Sequence, residues 1–331
     1  MRLLHGPEIG FRKIAMYKDK SISVVIPTYN DGKLLRDTIR GIPDFVDYII
    51  VVNDGSGKET EEILQEELSQ NNRILVITHQ QNLGLGQSLI DGYLRSKEIE
   101  SDITAVMAGD NQMSSNDLES VIKPIASEDY DYVKGNRLLR EDVVRRMPLY
   151  RYIGNSLLTL LTKIATGYWK SIDPQCGYTA ISLEALRVVP IHNMIKGYGY
   201  NAHILNMLNL NNFKIIDVEV EPVYGEEKSK IKVVRYAFNL SILLVRLTIK
   251  RLTSKYLVRD FHPLVLFYFF GFFQIVFIAI PLLVRFIWLL ATTGFLPQTT
   301  LLIFFFSVSM GMLSSLLGMW LDMEDNKKLQ G

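Results

Sequence analysis

Short apolar runs alternate with longer stretches of helical pattern along the first third of the chain. The apolar runs and the helical stretches follow one another at 22–26, 32–41, 48–52, 59–70, 74–77, 84–97 and 103–107. This alternation predicts an α/β domain with a mostly parallel sheet and helices on both faces. After Asp110 the pattern is looser, and it predicts a helix from Ser115, a short strand at 132–133, a long helix over 149–165 and an edge strand over 215–221.

Two uncharged apolar segments, 263–284 and 299–321, follow the predicted α/β domain. Each reaches the roughly 20 residues that a helix needs to cross about 30 Å of hydrocarbon. We therefore predict transmembrane helices over 263–290 and 299–321. Many basic residues precede the first segment, and Lys327 and Lys328 follow the second. The positive-inside rule then places the α/β domain and the tail 322–331 on the cytoplasmic side.

The segment before the first apolar run is basic. Nine basic residues and no acidic one occur between Lys228 and Arg259. On one continuous helix these charges would fall on opposite faces: Arg235, Arg246 and Lys250 on one, and Arg251, Lys255 and Arg259 on the other. For 233–260 we therefore predict two amphipathic juxtamembrane helices that break near Thr253, with basic residues toward anionic lipid. A solvated helical linker is the alternative.

Composition adds little to this picture. The 331 residues carry 36 Lys and Arg against 35 Asp and Glu, a net charge of +1. We expect no nucleic-acid partner. The single cysteine, Cys176, excludes an intramolecular disulfide and is typical of a reducing compartment. Residues 1–20 lack an apolar core, so we expect an N-terminal extension and no signal peptide.

Candidate chemistry lies where the predicted strands end. Gly109-Asp110-Asn111-Gln112 follows the fourth apolar run, and Asp110 and Gln112 offer oxygen ligands suited to Mg²⁺ or Mn²⁺. In open α/β sheets the ligand crevice lies at this edge. Three further motifs end or follow the earlier runs, and each alone is also typical of a simple turn: Pro27-Thr28-Tyr29-Asn30-Asp31, Asn53-Asp54-Gly55-Ser56 and Asn82-Leu83-Gly84-Leu85-Gly86.

The order of these four motifs resembles the family-2 glycosyltransferases of the GT-A fold, and within them the dolichyl- and polyprenyl-phosphate hexose synthases. The resemblance continues through Lys134-Gly135-Asn136-Arg137, the segment 173–178, Lys228-Ser229-Lys230 and the paired apolar segments. It implies a nucleotide-sugar-binding GT-A domain over 21–232, followed by the juxtamembrane segment and two transmembrane helices.

The resemblance also implies roles for individual residues. Pro27, Tyr29, Asp31, Asn53, Asp54, Asn82 and Gly84 would bind the nucleotide. Asp110 and Gln112 would hold the divalent ion, Mg²⁺ or Mn²⁺, and Asp110, Arg137, Asp173 and Lys230 would be catalytic. The donor or acceptor phosphates would meet Arg137, Ser229, Lys230 and Arg235.

Several positions depart from the family pattern. Ala108 and Asn53 stand where the family usually has Asp, and Asp31 where it has Glu. The stretch 224–227 lacks the arginine that normally precedes the Ser-Lys pair, and Asn201 lies where an acidic residue is common. These changes concern donor identity and metal affinity more than reaction class.

The implied reaction is inverting, metal-dependent transfer of a hexose from a GDP-mannose or UDP-glucose type of donor to a polyprenyl or dolichyl phosphate. We expect an integral protein of the cell membrane, or of the endoplasmic reticulum membrane in a eukaryote. The sequence leaves the oligomeric state open, with room in the membrane for a homo-oligomer. Two alternatives stay open. One is transfer to a lipid or glycan hydroxyl, with Asp173 as the base; the other is a membrane accessory protein that has lost catalysis, motivated by Ala108 and Asn53.

Overall fold

The structure is a computed structural model that describes residues 2–4, 17–139, 149–197, 199–221, 233–294 and 297–331. The chain forms two compact units. One contains Met1–Leu247 together with Leu329–Gly331, and the other contains Thr248–Lys328.

An eight-stranded sheet is the framework of the first unit within the described residues. In chain order the strands are β1 Arg2–Leu4, β2 Ile22–Thr28, β3 Tyr48–Asn53, β4 Ile74–Thr78, β5 Ile103–Val106, β6 Tyr132–Asn136, β7 Thr179–Ser182 and β8 Ile215–Glu219. Their order across the sheet is β1-β4-β3-β2-β5-β7-β6-β8. Strands β4, β3, β2 and β5 run parallel, as do β6 and β8. Strand β7 pairs antiparallel with both β5 and β6 and joins these two parallel groups.

Helices cover both faces of this sheet. In chain order the helices up to residue 253 are α1 Lys33–Gly41, α2 Lys58–Gln70, α3 Leu85–Glu98, α4 Leu118–Ser127, α5 Leu149–Thr166, α6 Leu183–Val188, α7 Tyr200–Leu210 and α8 Val233–Thr253. Helix α8 packs on α5 and α7, where Leu240 and Leu244 cluster with Ala165 and Ala202. Alternate residues of the central strands enter different core clusters, so that Val24 packs with Leu35 of α1 while Val25 packs with Leu89 of α3. Burial on both faces explains the continuous apolar runs and confirms the α/β fold class.

Strand β8 lies at the edge of the sheet, as its alternating polarity predicts. The segment 329–331 covers that edge. Gln330 forms a parallel bridge with Ile215, and the Gly331 N–H donates to the Ile215 carbonyl at 3.0 Å. The Lys170 N–H donates to Gln330 Oε1 at 2.7 Å, and Leu329 is buried in the core. The chain beyond the second apolar helix therefore pairs with the sheet instead of remaining a free tail.

Two helices of the second unit are long and apolar enough to cross a membrane. They are Leu264–Thr293, with 30 residues, and Gln298–Asp325, with 28 residues. Small residues let the two helices approach closely: a Cβ placed on Gly271 would lie 2.9 Å from the Gly311 carbonyl oxygen. Ser314 Oγ donates to the Phe267 carbonyl at 2.9 Å. Such contacts are typical of helix packing in lipid.

The juxtamembrane segment changes helix type where the sequence predicts a break, and its backbone stays helical there. Helix α8 ends at Thr253, and a π-helical run, Ser254–Arg259, follows it. The prediction that Arg251 faces anionic lipid is wrong. Its guanidinium is fully buried and donates to both carboxylate oxygens of Asp322, each at 2.7 Å. A buried charge requires such a partner, and only the fold brings Asp322 to it.

Candidate functional site

The carboxyl ends of the four parallel strands meet along one edge of the sheet. Backbone hydrogen bonds beyond the strands join them in order: the Gly109 N–H donates to the Pro27 carbonyl at 3.3 Å, and the Asp54 N–H donates to the Thr28 carbonyl at 2.9 Å. The His79 N–H donates to the Asn53 carbonyl at 2.9 Å. The predicted motifs 27–31, 53–56 and 109–112 are therefore neighbours in space.

The metal motif, residues 109–112, is a tight turn after β5. Asp110 Oδ1 accepts the Gln112 N–H at 3.1 Å. Asn111 between them has φ of 56°, a left-handed conformation that Asn tolerates better than most residues. The turn places the Asp110 and Gln112 side chains on the lining of the same cleft.

Asp31 packs directly beneath the metal motif. Its Oδ2 accepts from Thr28 Oγ1 at 2.7 Å and from the Tyr29 N–H at 3.2 Å. A Cβ placed on Gly109 would lie 2.6 Å from the same oxygen, so a side chain at position 109 would displace Asp31. The hydrogen bonds of Asp31 thus stay within its own motif, and its carboxylate lies against Gly109. Its contact with a nucleotide stays a prediction.

The cleft has a volume of about 120 Å³ and unites predicted and unpredicted residues. Asp110, Gln112 and Arg137 line it together, although Arg137 follows a different strand, β6. The rest of the lining consists of Ala108, Met113, Cys176, Gly177, Tyr178, Val220 and Glu221. Met113, Val220 and Glu221 lie outside every predicted motif, and nothing in their local sequence marks them as cleft residues.

Arg137 is held in place by Asp173. Its Nε donates to Asp173 Oδ2 at 2.8 Å, its Nη2 donates to Oδ1 at 3.1 Å, and its backbone N–H donates to Oδ2 at 3.3 Å. The Asp173 side chain is 5% exposed and that of Arg137 is 41% exposed, so the arginine keeps a solvent-facing side. Burial alone would raise the pKa of Asp173, but the hydrogen bonds and charge of Arg137, with the charge of Lys134, outweigh it and hold that pKa below its ordinary value. Asp173 is therefore an ionised partner of Arg137.

Lys134 supports the Asp173 loop from below. Its buried ammonium donates to the Asp173 carbonyl at 2.7 Å and to Asp217 Oδ2 at 3.1 Å. Asn136 Nδ2 donates to the same Asp217 oxygen at 2.9 Å. The backbone and the carboxylate of Asp173 are thus both held by cationic side chains. The signal available in the sequence is a lysine inside a strand, which requires a buried partner.

The side chains of the motif 53–56 are engaged by other groups of the protein. Asn53 Oδ1 accepts the Ser56 N–H at 3.0 Å. The Asp54 carboxylate accepts the Leu83 N–H and the Gly84 N–H, each at 2.8 Å, and bonds the ring of His79. Asp54 thereby fixes the motif 82–86 to the motif 53–56. Tyr29, by contrast, is 50% exposed at the same edge, so its ring is available to pack on a ligand.

Residues 23–189 match the glycosyl transferase family 2 domain. The chain belongs to this family.

Two relatives and a solved structure illustrate the family membership. A UDP-N-acetylglucosamine–dolichyl-phosphate N-acetylglucosaminyltransferase of Methanococcus voltae is 32% identical over 63% of this chain and 88% of its own length. A dolichyl-phosphate beta-glucosyltransferase of Trichomonas vaginalis is 23% identical over 76% of this chain and 80% of its own. Glucosyl-3-phosphoglycerate synthase from Mycobacterium tuberculosis, crystallised with Mn²⁺ and UDP, superposes with a TM-score of 0.52 at 20% identity over 70% of this chain and 80% of its own. This last likeness supports the GT-A fold.

The residues of this glycosyltransferase fit a divalent ion that takes only part of its ligands from protein. Among the described residues no group of three His, Cys, Asp or Glu side chains could hold a metal ion. Asp110 and Gln112 supply one carboxylate and one amide oxygen, and Ala108 supplies none. Mg²⁺ is commonly bound through one or two carboxylates, with water and substrate phosphates as the remaining ligands.

Some predicted residues cannot be placed in this site. Ser229 and Lys230 lie outside the described residues, and for Arg235 only the backbone, within α8, is described. Asn201 is buried in α7. Asn82 is exposed on the loop before α3, and Gly84 adopts φ of +94° there, a conformation that glycine reaches without strain.

Proposed function

We propose that this glycosyltransferase transfers a hexose, with inversion, from a nucleoside diphosphate sugar to a dolichyl or polyprenyl phosphate at the cytoplasmic face of a membrane. The observation that carries the proposal is the meeting of Asp110, Gln112 and Arg137 in one cleft. Oxygen ligands for a divalent ion and a fixed guanidinium are the two groups that a leaving diphosphate requires.

Asp110 and Gln112 would hold Mg²⁺ or Mn²⁺, which, when bound, neutralises charge on the donor diphosphate. Arg137 would donate to a phosphate oxygen through the solvent-facing side of its guanidinium. Asp173 holds the other side of the guanidinium, and Lys134 in turn holds the Asp173 backbone, so Arg137 needs little reorganisation as negative charge develops on the leaving group. Tyr29 and Asn82, which are exposed at the sheet edge, would meet the nucleotide. Pro27 is buried in β2, so its contact with a nucleotide stays a prediction.

The acceptor is proposed to be a phosphate, because the carboxylate considered as the base for a hydroxyl, Asp173, is engaged by Arg137. A phosphate monoester has its second pKa near ~6 and is already a nucleophile at neutral pH. Asp173, the candidate base for a hydroxyl acceptor, has a lowered pKa and is paired with Arg137, whereas a general base works best with a pKa near the working pH. We assign Ser229, Lys230 and Arg235 to the acceptor phosphate.

The relatives support the same acceptor class, because the two named above act on dolichyl phosphate by their names. Their sugars differ, N-acetylglucosamine in one and glucose in the other. We propose catalysis in 21–232 and membrane attachment through 233–260 and the two apolar helices. The basic residues before the first helix favour a cytoplasmic catalytic domain.

A donor screen tests the proposal. Membranes containing the full chain would receive radiolabelled UDP- and GDP-sugars, Mg²⁺ or Mn²⁺, and either dolichyl phosphate or free dolichol. We expect label in an organic-extractable, acid-labile product with the phosphate alone. Asp110→Asn should abolish transfer, and Asp44→Asn, which changes a fully exposed carboxylate, should not. If none of the labelled donors leads to labelled lipid, the proposal is overturned. Label found in free dolichol would favour the hydroxyl alternative.

A further inference from the structure

The His79 side chain lies between two carboxylates at the end of β4. Its Nδ1 is 2.6 Å from Asp54 Oδ1, and its Nε2 is 2.9 Å from Asp91 Oδ2. The exposed fractions of the His79, Asp54 and Asp91 side chains are 4%, 5% and 15%, so water competes little for these contacts. Gln87 Nε2 also donates to Asp91 Oδ2, at 3.0 Å.

The geometry of these contacts shows how the ring is held. A carboxylate oxygen accepts a hydrogen bond from a ring N–H, and the two ring nitrogens of His79 face two different carboxylates. The contact with Asp91 therefore fixes the orientation of the ring that meets Asp54.

This ring stabilises the loop at the nucleotide edge through Asp54. The Asp54 oxygens accept the Leu83 and Gly84 N–H groups, and these residues lead directly into α3, which carries Asp91. The loop has little freedom on its other side: a Cβ placed on Gly55 would lie 2.6 Å from the Gln81 carbonyl carbon. His79 thus joins the ends of β3 and β4 to the loop and to the helix that follows.

We propose that His79 is a positioning residue for donor binding. Its ring, anchored by Asp91, orients the Asp54 carboxylate, and Asp54 holds the backbone of Leu83 and Gly84 in the form that receives the nucleotide. This inference rests on the proposed function for placing the nucleotide at this edge.

Two conservative variants separate this role from a general packing role. The amide nitrogen of Asn reproduces the position of a histidine Nδ1, whereas that of Gln reproduces Nε2. His79→Asn therefore keeps a donor toward Asp54 and loses the contact with Asp91, and His79→Gln does the reverse. If orientation of Asp54 is what matters, His79→Gln should weaken nucleotide binding about 10-fold or more and His79→Asn clearly less. Packing alone would predict no such order.

The binding measurement uses UDP and GDP with Mn²⁺ on the full chain in detergent, by calorimetry. His192→Asn, at an exposed histidine, is the matched control and should bind as the wild type does. In transfer assays the donor KM should rise in His79→Gln, while kcat and the KM for the lipid change less than about threefold. The thermal midpoint of each variant reports whether it folds, and Asp91→Asn provides a second perturbation if His79→Gln does not.

Wild-type nucleotide affinity in His79→Gln would overturn the inference, as would wild-type protein that binds neither UDP nor GDP. Failure of lipid labelling with loss of nucleotide binding in His79→Gln would refute the proposed acceptor and leave the role of His79 intact.

Discussion

Asp173→Asn distinguishes the two roles that a carboxylate beside Arg137 can have. As a positioning partner, Asp173 acts only by holding the guanidinium through Nε and Nη2. As a general base it would take a proton from a hydroxyl acceptor. The substitution keeps the shape and one acceptor oxygen, replaces the other by an amide group and removes the negative charge.

The expected size of the effect follows from the contacts. A hydrogen bond to a charged group contributes ~1.5–3 kcal/mol. Because the Arg137 side chain is 41% exposed, water replaces part of what is lost, and the low end of that range applies. A loss of ~1.5–2 kcal/mol corresponds to a fall in kcat/KM of about 10- to 30-fold. Removal of a general base typically costs about 10²- to 10⁴-fold.

The assay is a double-mutant cycle with the wild type, Asp173→Asn, Arg137→Ala and the double variant, using the donor and acceptor found in the screen. If Asp173 acts through Arg137, adding Asp173→Asn to Arg137→Ala should change kcat/KM little. The pH dependence of kcat/KM near neutral pH should be the same in the wild type and in Asp173→Asn, because the pKa of this carboxyl lies below its ordinary value. If Asp173→Asn lowers kcat/KM in the Arg137→Ala variant as much as in the wild type, the positioning role is refuted.

Further predictions concern metal binding and stability. Mg²⁺ or Mn²⁺ should bind weakly to the free protein and far more tightly with UDP or GDP, because the metal motif supplies few ligands; equal affinities by calorimetry would contradict this. Arg251→Met should lower the free energy of unfolding by about 3–5 kcal/mol, because the buried Asp322 carboxylate loses the Arg251 cation and keeps neutral donors such as Tyr256 and Asn326; adding Asp322→Leu should restore most of it in thermal unfolding. Gly86→Ala should lower the thermal midpoint, because its Cβ would lie 2.2 Å from the Ile195 carbonyl oxygen; an unchanged midpoint would show that this loop yields. The lowered pKa of Asp173 stabilises the fold above the unfolded-state pKa of about 3.9, and this contribution is lost as the pH falls through the lower folded value. The difference in urea midpoint between wild type and Asp173→Asn should therefore shrink only below about pH 4.

The central strands and the helices between them could be predicted from local pattern. Strands β2 and β3 are buried on both faces, so their residues are apolar without interruption, and this property does not depend on which strand lies beside them. Strand β7, Thr179–Ser182, escaped prediction because it is short and half polar. Its strand form depends on pairing with β5 and β6, which are distant along the chain.

The contacts of the charged side chains, unlike the central strands, depend on residues that are distant in the sequence. Asp54 has the position of a nucleotide ligand in its motif, yet N–H donors from 79, 83 and 84 engage its carboxylate. Arg251 has the pattern of a lipid-facing residue, yet its partner Asp322 lies 71 residues further along the chain.

Local sequence pattern is enough to assign the fold class, the strand-end motifs and the two apolar helices, because burial imposes a periodicity that a short stretch of sequence contains. The folded structure is needed to tell which ionised side chains face a cleft and which bind one another. A charge removed from water must find a partner. The partner comes close only when distant segments of the chain pack together, and local sequence pattern does not encode that packing.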